Sequence, residues 1–348
     1  MHTGTNRKRF AVLSLLLVAA LAALAACSSS SSNGLPGEGT TVQPARATWN
    51  TGYFQEAVYS AGLEDLGYTV KDAQELDNPI FYQSVAQGDV DYWANGWFPL
   101  HNQYKDTFQN GAEIAGTVAS NGALQGYLVD KAAVDEFGIK TLDDFKNPEV
   151  QKAFDHDGDG KADLYGCPPG WGCNTVIEYH LQDLGLTDYI NHITAAYSTS
   201  MADAIARYKN GEHILFYTWT PNWTVNALKP GTDVMWIGLP RASDPDGMSA
   251  EELSVSGVTG AVSDPLLMGF PPNDIDVVAN SKFLEDNPAA AKMLDEIHIP
   301  LPDIFAQNQE MNDGADSQAD IDKAARDWIA ANQSQWDQWL ADAKAAAS

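Results

Sequence analysis

Between residues 40 and 93 strand-like and helical patterns alternate, and that order restricts the fold more than any other feature. Residues 40–49 read as a strand broken at Pro44. Phe54, Val58, Leu63 and Leu66 then recur at helical spacing, and Gly67 ends that helix. Residues 68–70 read as a second strand, 81–86 as a short helix closed by Gly88, and 89–93 as a third strand. Strands separated by helices predict a parallel sheet with crossover helices. A second α/β unit opens at 125–130, where Thr141 and Asp144 predict a capping box for a helix over 142–154. Its later strands fall at 214–219 and 234–237. A late strand covers 275–279, and Asn287 before Pro288 predicts a capped helix start. Trp328, Trp336, Trp339 and Leu340 form a stripe on the C-terminal helix that reads as core packing. No internal repeat is present.

The N-terminus reads differently. Arg7, Lys8 and Arg9 precede an apolar run over 10–26, too short for a confident membrane span and arranged as a secretory signal. Residues 24–27, Leu-Ala-Ala-Cys, resemble the lipobox of bacterial lipoproteins, which makes Cys27 the expected lipidation site and residues 1–26 the leader. An ordinary signal peptide containing a cysteine is the alternative. Only one of two adjacent arginines needed for a twin-arginine signal is in place, so general secretion is favoured. The serine run 28–32, followed by Asn33-Gly34 and Pro36-Gly37, predicts a flexible tether over 27–37. Stable anchoring takes more than one acyl chain, which lipoprotein processing supplies.

About 310 residues remain, too many for one core and suited to two lobes. The formal charge of −27 falls to about −30 once the three leader cations are removed, which excludes nucleic acid and anionic lipid surfaces as partners. Cys167 and Cys173 are an even pair in an exported chain, so a disulfide is expected. A metal pair is the alternative, and the seven histidines show no ligand spacing around it.

Aromatic residues concentrate in four segments that read as loops: 92–101, 166–173, 216–221 and, more weakly, 49–53. Tryptophan beside glycine and proline is placed to present its ring face, and ring faces attract cations. Methylated ammonium ions suit such a cage, because they donate no N–H hydrogen bond and are recognised by shape and π electrons. Segments 97–101 (Trp-Phe-Pro-Leu-His), 157–164, 169–173, 217–221 and 311–314 together resemble the ProX-type glycine betaine/proline betaine-binding proteins of ABC importers, over about residues 37–345. The resemblance implies an α/β fold of the two-lobed periplasmic-binding-protein type (type II), with the ligand in the cleft. It implies lobe A over 38–122 and 274–348, lobe B over 123–273, a monomer, and ABC permease subunits as membrane partners. Trp97, Trp171 and Trp219 match the tryptophans that box the trimethylammonium head. His101 and the backbone N–H groups of Gly172 and Cys173 match the carboxylate contacts, and the Cys167–Cys173 bridge holds that turn. Phe98 and Pro168 stand where the best-known members have polar residues.

Asp155, Asp157, Asp159 and Asp163 resemble the first part of a calcium loop, but position twelve is Gly166, where a bidentate glutamate belongs. A solvated Asp/Gly turn is the alternative. No nucleophile elbow, zinc-protease helix, phosphate loop or dinucleotide fingerprint is present, so an enzyme is not expected. A choline- or carnitine-binding protein, or a sensor uncoupled from transport, stays open.

Overall fold

The structure is a computed structural model that describes residues 34–348. The leader, Cys27 and the serine run therefore lie outside the described residues. Strands β1 (Thr41–Val42) and β2 (Ala45–Ala47) flank the break at Pro44, and the helix Thr51–Asp65 follows. β1 pairs in parallel with β3 (Thr69–Val70), and β2 in parallel with β4 (Gln74–Leu76). The helix Asn78–Gln87 ends on Gly88 at φ 80°, a left-handed position that glycine takes without a Cβ penalty.

These parallel pairs are small. The main sheet has seven strands and is mixed, which corrects the expectation of a purely parallel one. β5 (Tyr92–Phe98) and the late strand Asn273–Asn280 pair antiparallel. The late strand also pairs antiparallel with β6 (Ala112–Asp130), a 19-residue strand that spans the molecule. Over Ala112–Ala123 the partner of β6 is the late strand; from Leu124 onward it is β9 (Leu215–Thr220), joined by β10 (Val234–Ile237). Just before the exchange, in the register break between Ala119 and Ala123, lie Asn121 at φ 49° and Gly122 at φ 141°, backbone states in which a regular ladder breaks. β7 (Ala162–Tyr165) and β8 (Ile190–Ile193) complete the second half, with β7 parallel to both β8 and β9. The sheet is mixed because β6 runs through both halves and returns chain in the opposite sense. The pattern over 40–93 alone carries no information about that strand.

Other boundaries moved for local reasons. Thr141 and Asp144 do form a capping box, but the element is a 3₁₀ turn (Leu142–Lys146) followed by a separate helix, Pro148–Phe154. Pro148 has no N–H to continue the first turn, and Asn147 caps the new start by accepting from Glu149 N–H. The C-terminal stripe is divided between helices Gln318–Ala331 and Gln333–Ala346, and Trp336 and Trp339 are buried as expected of core. Among the described residues no helix is long and apolar enough to cross a membrane.

Candidate functional site

Two of the aromatic segments with loop-like glycine and proline neighbours are strands, the second matching the strand expected over 214–219. All seven residues of β5 are buried, and its Gly96 marks close packing: a Cβ there would fall 2.9 Å from the Phe98 ring. Opposite β5, Asp276 faces Gly96 while Val278 faces Trp93, so β5 carries one extra residue between them. Such a bulge re-aims side chains, and here it lies beside Asn95 and Trp97. The segment 215–220 is β9, with Trp219 near its end. Trp171 sits just before the helix Gly172–Asp183, and Trp49 just before the helix Thr51–Asp65.

These elements converge on one cavity. All six residues expected at the site line it: Trp97, His101, Trp171, Gly172, Cys173 and Trp219. Trp49, noted only weakly in the sequence, lines it too, as do Leu100, Gln125 and Tyr217, which sequence reasoning missed. The tryptophans are more enclosed than a loop setting suggests: Trp97 is 3 % exposed, Trp171 8 % and Trp219 6 %. Trp171 meets Trp49 at 5.0 Å between ring centroids and Trp219 at 5.8 Å, both edge to face.

Every indole N–H at this cavity is already bonded to protein. Asn95 Oδ1 accepts from both Trp49 Nε1 (2.7 Å) and Trp97 Nε1 (3.0 Å). Trp171 Nε1 donates to Thr48 Oγ1 at 2.9 Å, and Trp219 Nε1 donates to Thr51 Oγ1 at 3.0 Å. The ring edges are thus held, and what remains for a guest is the π face. Asn95 is fixed in turn by donating to Gln55 Oε1 at 2.5 Å, and Thr48 by donating to Asp77 Oδ1 at 2.8 Å.

His101 is buried at 2 % exposure, and burial pushes its pKa down to about 3. It is therefore neutral at physiological pH. Its Nδ1 accepts the Trp97 backbone N–H at 3.1 Å, which assigns the proton to Nε2. Nε2 lies 2.6 Å from the Asn78 carboxamide, and turning the amide oxygen toward it gives the Nε2–H an acceptor. With His101 neutral, no residue lining the cavity carries a net charge.

The floor is a helix start. Gly172 and Cys173 occupy the first turn of a 12-residue helix with no side-chain cap, so their N–H groups lack intrahelical partners and sit at the positive end of the dipole. Gly172 is small for a reason, since a Cβ there would come within 3.2 Å of the His101 ring. Cys167 and Cys173 form the expected disulfide, their Cα atoms 6.0 Å apart. Neither Phe98 nor Pro168 lines this cavity: Phe98 backs His101 at 6.0 Å, and Pro168 lines an adjoining chamber beyond Trp171.

The Asp/Gly turn divides the four expected calcium ligands. Asp155, Asp157 and Asp159 bring carboxylate oxygens within 4.8 Å of one another, but their oxygens accept from backbone N–H groups of Gly158, Gly160, Asp159 and Lys161. Asp163 turns inward, accepting from His156 N–H and Asn191 Nδ2. The hydrogen bonds that close this turn are its own.

Known proteins share this sequence and fold. Residues 40–331 match the family model described as the substrate-binding domain of ABC-type glycine betaine transport systems. The chain belongs to this family. A glycine betaine-binding periplasmic protein of Dickeya dadantii is 42% identical over 317 residues, covering 91% of this chain and 93% of that one. The glycine betaine/proline betaine-binding periplasmic protein of Escherichia coli is 42% identical over 313 residues, covering 90% and 92%. Among solved structures, a ProX from Borrelia burgdorferi aligns with a TM-score of 0.67 at 18% identity, over 89% of this chain and all of that one. Lactococcal OpuAC in its closed, glycine betaine-bound form aligns with a TM-score of 0.65 at 20% identity, over 86% and 99%. These structures share the two-lobed α/β fold. The family is one of substrate-binding proteins of transporters and not of enzymes.

Proposed function

We propose that this protein captures glycine betaine, or a close zwitterionic relative such as proline betaine, outside the cytoplasm and delivers it to an ABC permease. The observation that carries this reading is the pairing of tethered indole faces with a helix start in one uncharged cavity. Trp97, Trp171 and Trp219 take the trimethylammonium head. The N–H groups of Gly172 and Cys173 take the carboxylate, with neutral His101 donating from Nε2 once Asn78 yields. Three desolvated ring contacts give about 6 kcal/mol gross, and each donor to an ionised carboxylate adds about 1.5–3 kcal/mol. Association costs several kcal/mol, and about 8 kcal/mol net corresponds to micromolar affinity.

The site draws Trp49, Trp97, Leu100 and His101 from the segment 38–122 and the other walls from 123–273. The change of partner along β6 just after Asn121-Gly122 supports a boundary there, with 274–348 returning to the first lobe. The bonds Trp171–Thr48 and Trp219–Thr51 then cross between lobes and hold the closed arrangement. Choline is the second reading, since it offers the same head. It leaves the helix N–H groups without an anionic partner.

Isothermal titration with glycine betaine, proline betaine, carnitine and choline tests the function. Micromolar binding of a betaine with choline at least tenfold weaker is expected; no betaine binding would sink the proposal. Anchoring through Cys27 is part of it, with the protein acting as a monomer on the outer face of the membrane. Cys27→Ala should release soluble protein or block processing in a bacterial host, and unchanged membrane fractionation would count against the anchor.

A further inference from the structure

Gln125 stands at the cavity with half of its carboxamide engaged. It lies on β6 directly opposite Trp219 on β9 and is 1 % exposed. Its Oε1 accepts the Tyr217 hydroxyl at 2.5 Å. Tyr217 is itself 2 % exposed, and among the described residues its hydroxyl has this one partner. A buried phenol donates its proton if an acceptor is in reach, so the amide oxygen must face Tyr217 and the NH2 must point the other way. That NH2 is buried and has no partner. Buried amide donors are nearly always bonded, and one left open calls for an explanation. The cavity that Gln125 lines supplies it.

We propose that Gln125 Nε2 is a direct hydrogen-bond donor to the ligand, oriented by Tyr217, and that it helps select zwitterionic ammonium carboxylates over ammonium ions without an acceptor. The inference rests on the betaine-binding reading above. A methylated nitrogen offers nothing for an N–H to bond, whereas a carboxylate oxygen does. Gln125 acts as a neutral donor, so it adds to the Gly172 and Cys173 N–H groups without burying a charge. Tyr217 is the positioning residue: its hydroxyl stops the amide from rotating its oxygen toward an anionic ligand.

Q125M keeps side-chain length and removes both amide arms, and titration of the full chain with glycine betaine and with tetramethylammonium tests it. Glycine betaine affinity should fall about 10–150-fold, the range for a lost donor to an ionised group. Tetramethylammonium affinity should change by less than about threefold, because it has no acceptor. In 15N-labelled parent protein, the Gln125 side-chain NH2 signals, identified by their loss in Q125M, should shift on saturation with glycine betaine. In Y217F the freed amide should lose part of the betaine affinity, and the same signals should broaden. Q125M binding betaine as the parent does, with the parent's NH2 signals unmoved, overturns the proposal. A loss shared equally by both ligands also overturns it, since that is the mark of a structural role. A parent that binds no betaine fails earlier and overturns the functional reading itself.

Discussion

Two cavities of this protein make opposite use of burial. The indole cavity is the smaller, uncharged, and walled by rings whose N–H groups are tied to Asn95, Thr48 and Thr51. The larger, about 450 Å³, opens between the helix Thr51–Asp65 and the penultimate helix Gln318–Ala331, and its lining includes Arg46, Glu56, Ser60, Glu64, Asp322 and Arg326. Both of its arginines are paired, Arg46 with Glu75 and Arg326 with Glu64 and Asp65. Glu56 differs: burial pushes its pKa up to about 7, despite the Ser60 hydroxyl that donates to it at 2.5 Å. Volume therefore does not pick out the proposed ligand site. The indole cavity has every wall group satisfied except donors that a guest can engage, whereas the larger one holds a carboxylate whose cost falls on stability.

The sharpest way to break this contrast is at Asn95, which holds two of the rings. Asn95→Leu strands two buried indole N–H groups, each costing about 1–3 kcal/mol, so stability should fall by about 2–6 kcal/mol in urea denaturation. Glycine betaine affinity should fall with it as Trp49 and Trp97 lose their common anchor. Unchanged stability would show that these rings are held by packing alone.

Next in size are the rings themselves. Trp171→Ala and Trp219→Ala should each lose about 1–3 kcal/mol of betaine binding, or roughly 5–150-fold; phenylalanine at either position should lose less. Fluorescence titration reads this directly. If both alanine variants bind as the parent does, the cage lies elsewhere.

Glu56→Gln should leave betaine affinity alone and change stability. The carboxyl's folded-state pKa of about 7 lies above its ordinary 4.5, so the folded chain holds this proton more tightly. The contribution is present below about pH 4.5 and is lost as pH rises through 7. The glutamine variant should therefore be more stable than the parent by about 1–3 kcal/mol at pH 8, with the gap closing toward pH 4. A gap that does not depend on pH would refute the assignment to ionisation.

The smallest effect is expected from pH on binding. Because His101 is held near pKa 3 by burial, it stays neutral from pH 5 to 8, and betaine affinity should vary by less than about twofold across that range. A fall in affinity through pH 6–7 would mean that a protonated imidazole takes part.

Much of this site is legible in the chain because its chemistry is carried by residue type. Tryptophan, histidine and a cysteine pair are rare, and their spacing in 97–101 and 167–173 marks them in the linear chain. Trp49 is only a weak signal, because it stands outside those segments. Gln125 gives none, since a glutamine in an apolar strand reads like any other polar residue until its two amide arms are seen facing different neighbours. The four calcium-like acids show the converse, because their spacing cannot tell a metal cage from a turn that bonds to its own backbone. Loop and strand are confused at 92–98 for a related reason. Gly96 signals a turn in one dimension, and only the Phe98 ring beside it shows that it makes room for packing.

The sequence by itself determined the two helices between residues 51 and 87, the disulfide partners and the family, because local periodicity and rare side chains are properties of the chain alone. Tertiary structure decided the mixed sheet, the partner exchange along β6 just after Asn121-Gly122, the neutrality of His101 and the anchoring of each indole. Each of these depends on which groups far apart in sequence exclude water from one another. Desolvation and hydrogen-bond satisfaction are set by neighbours in space, and the linear order of residues does not contain them.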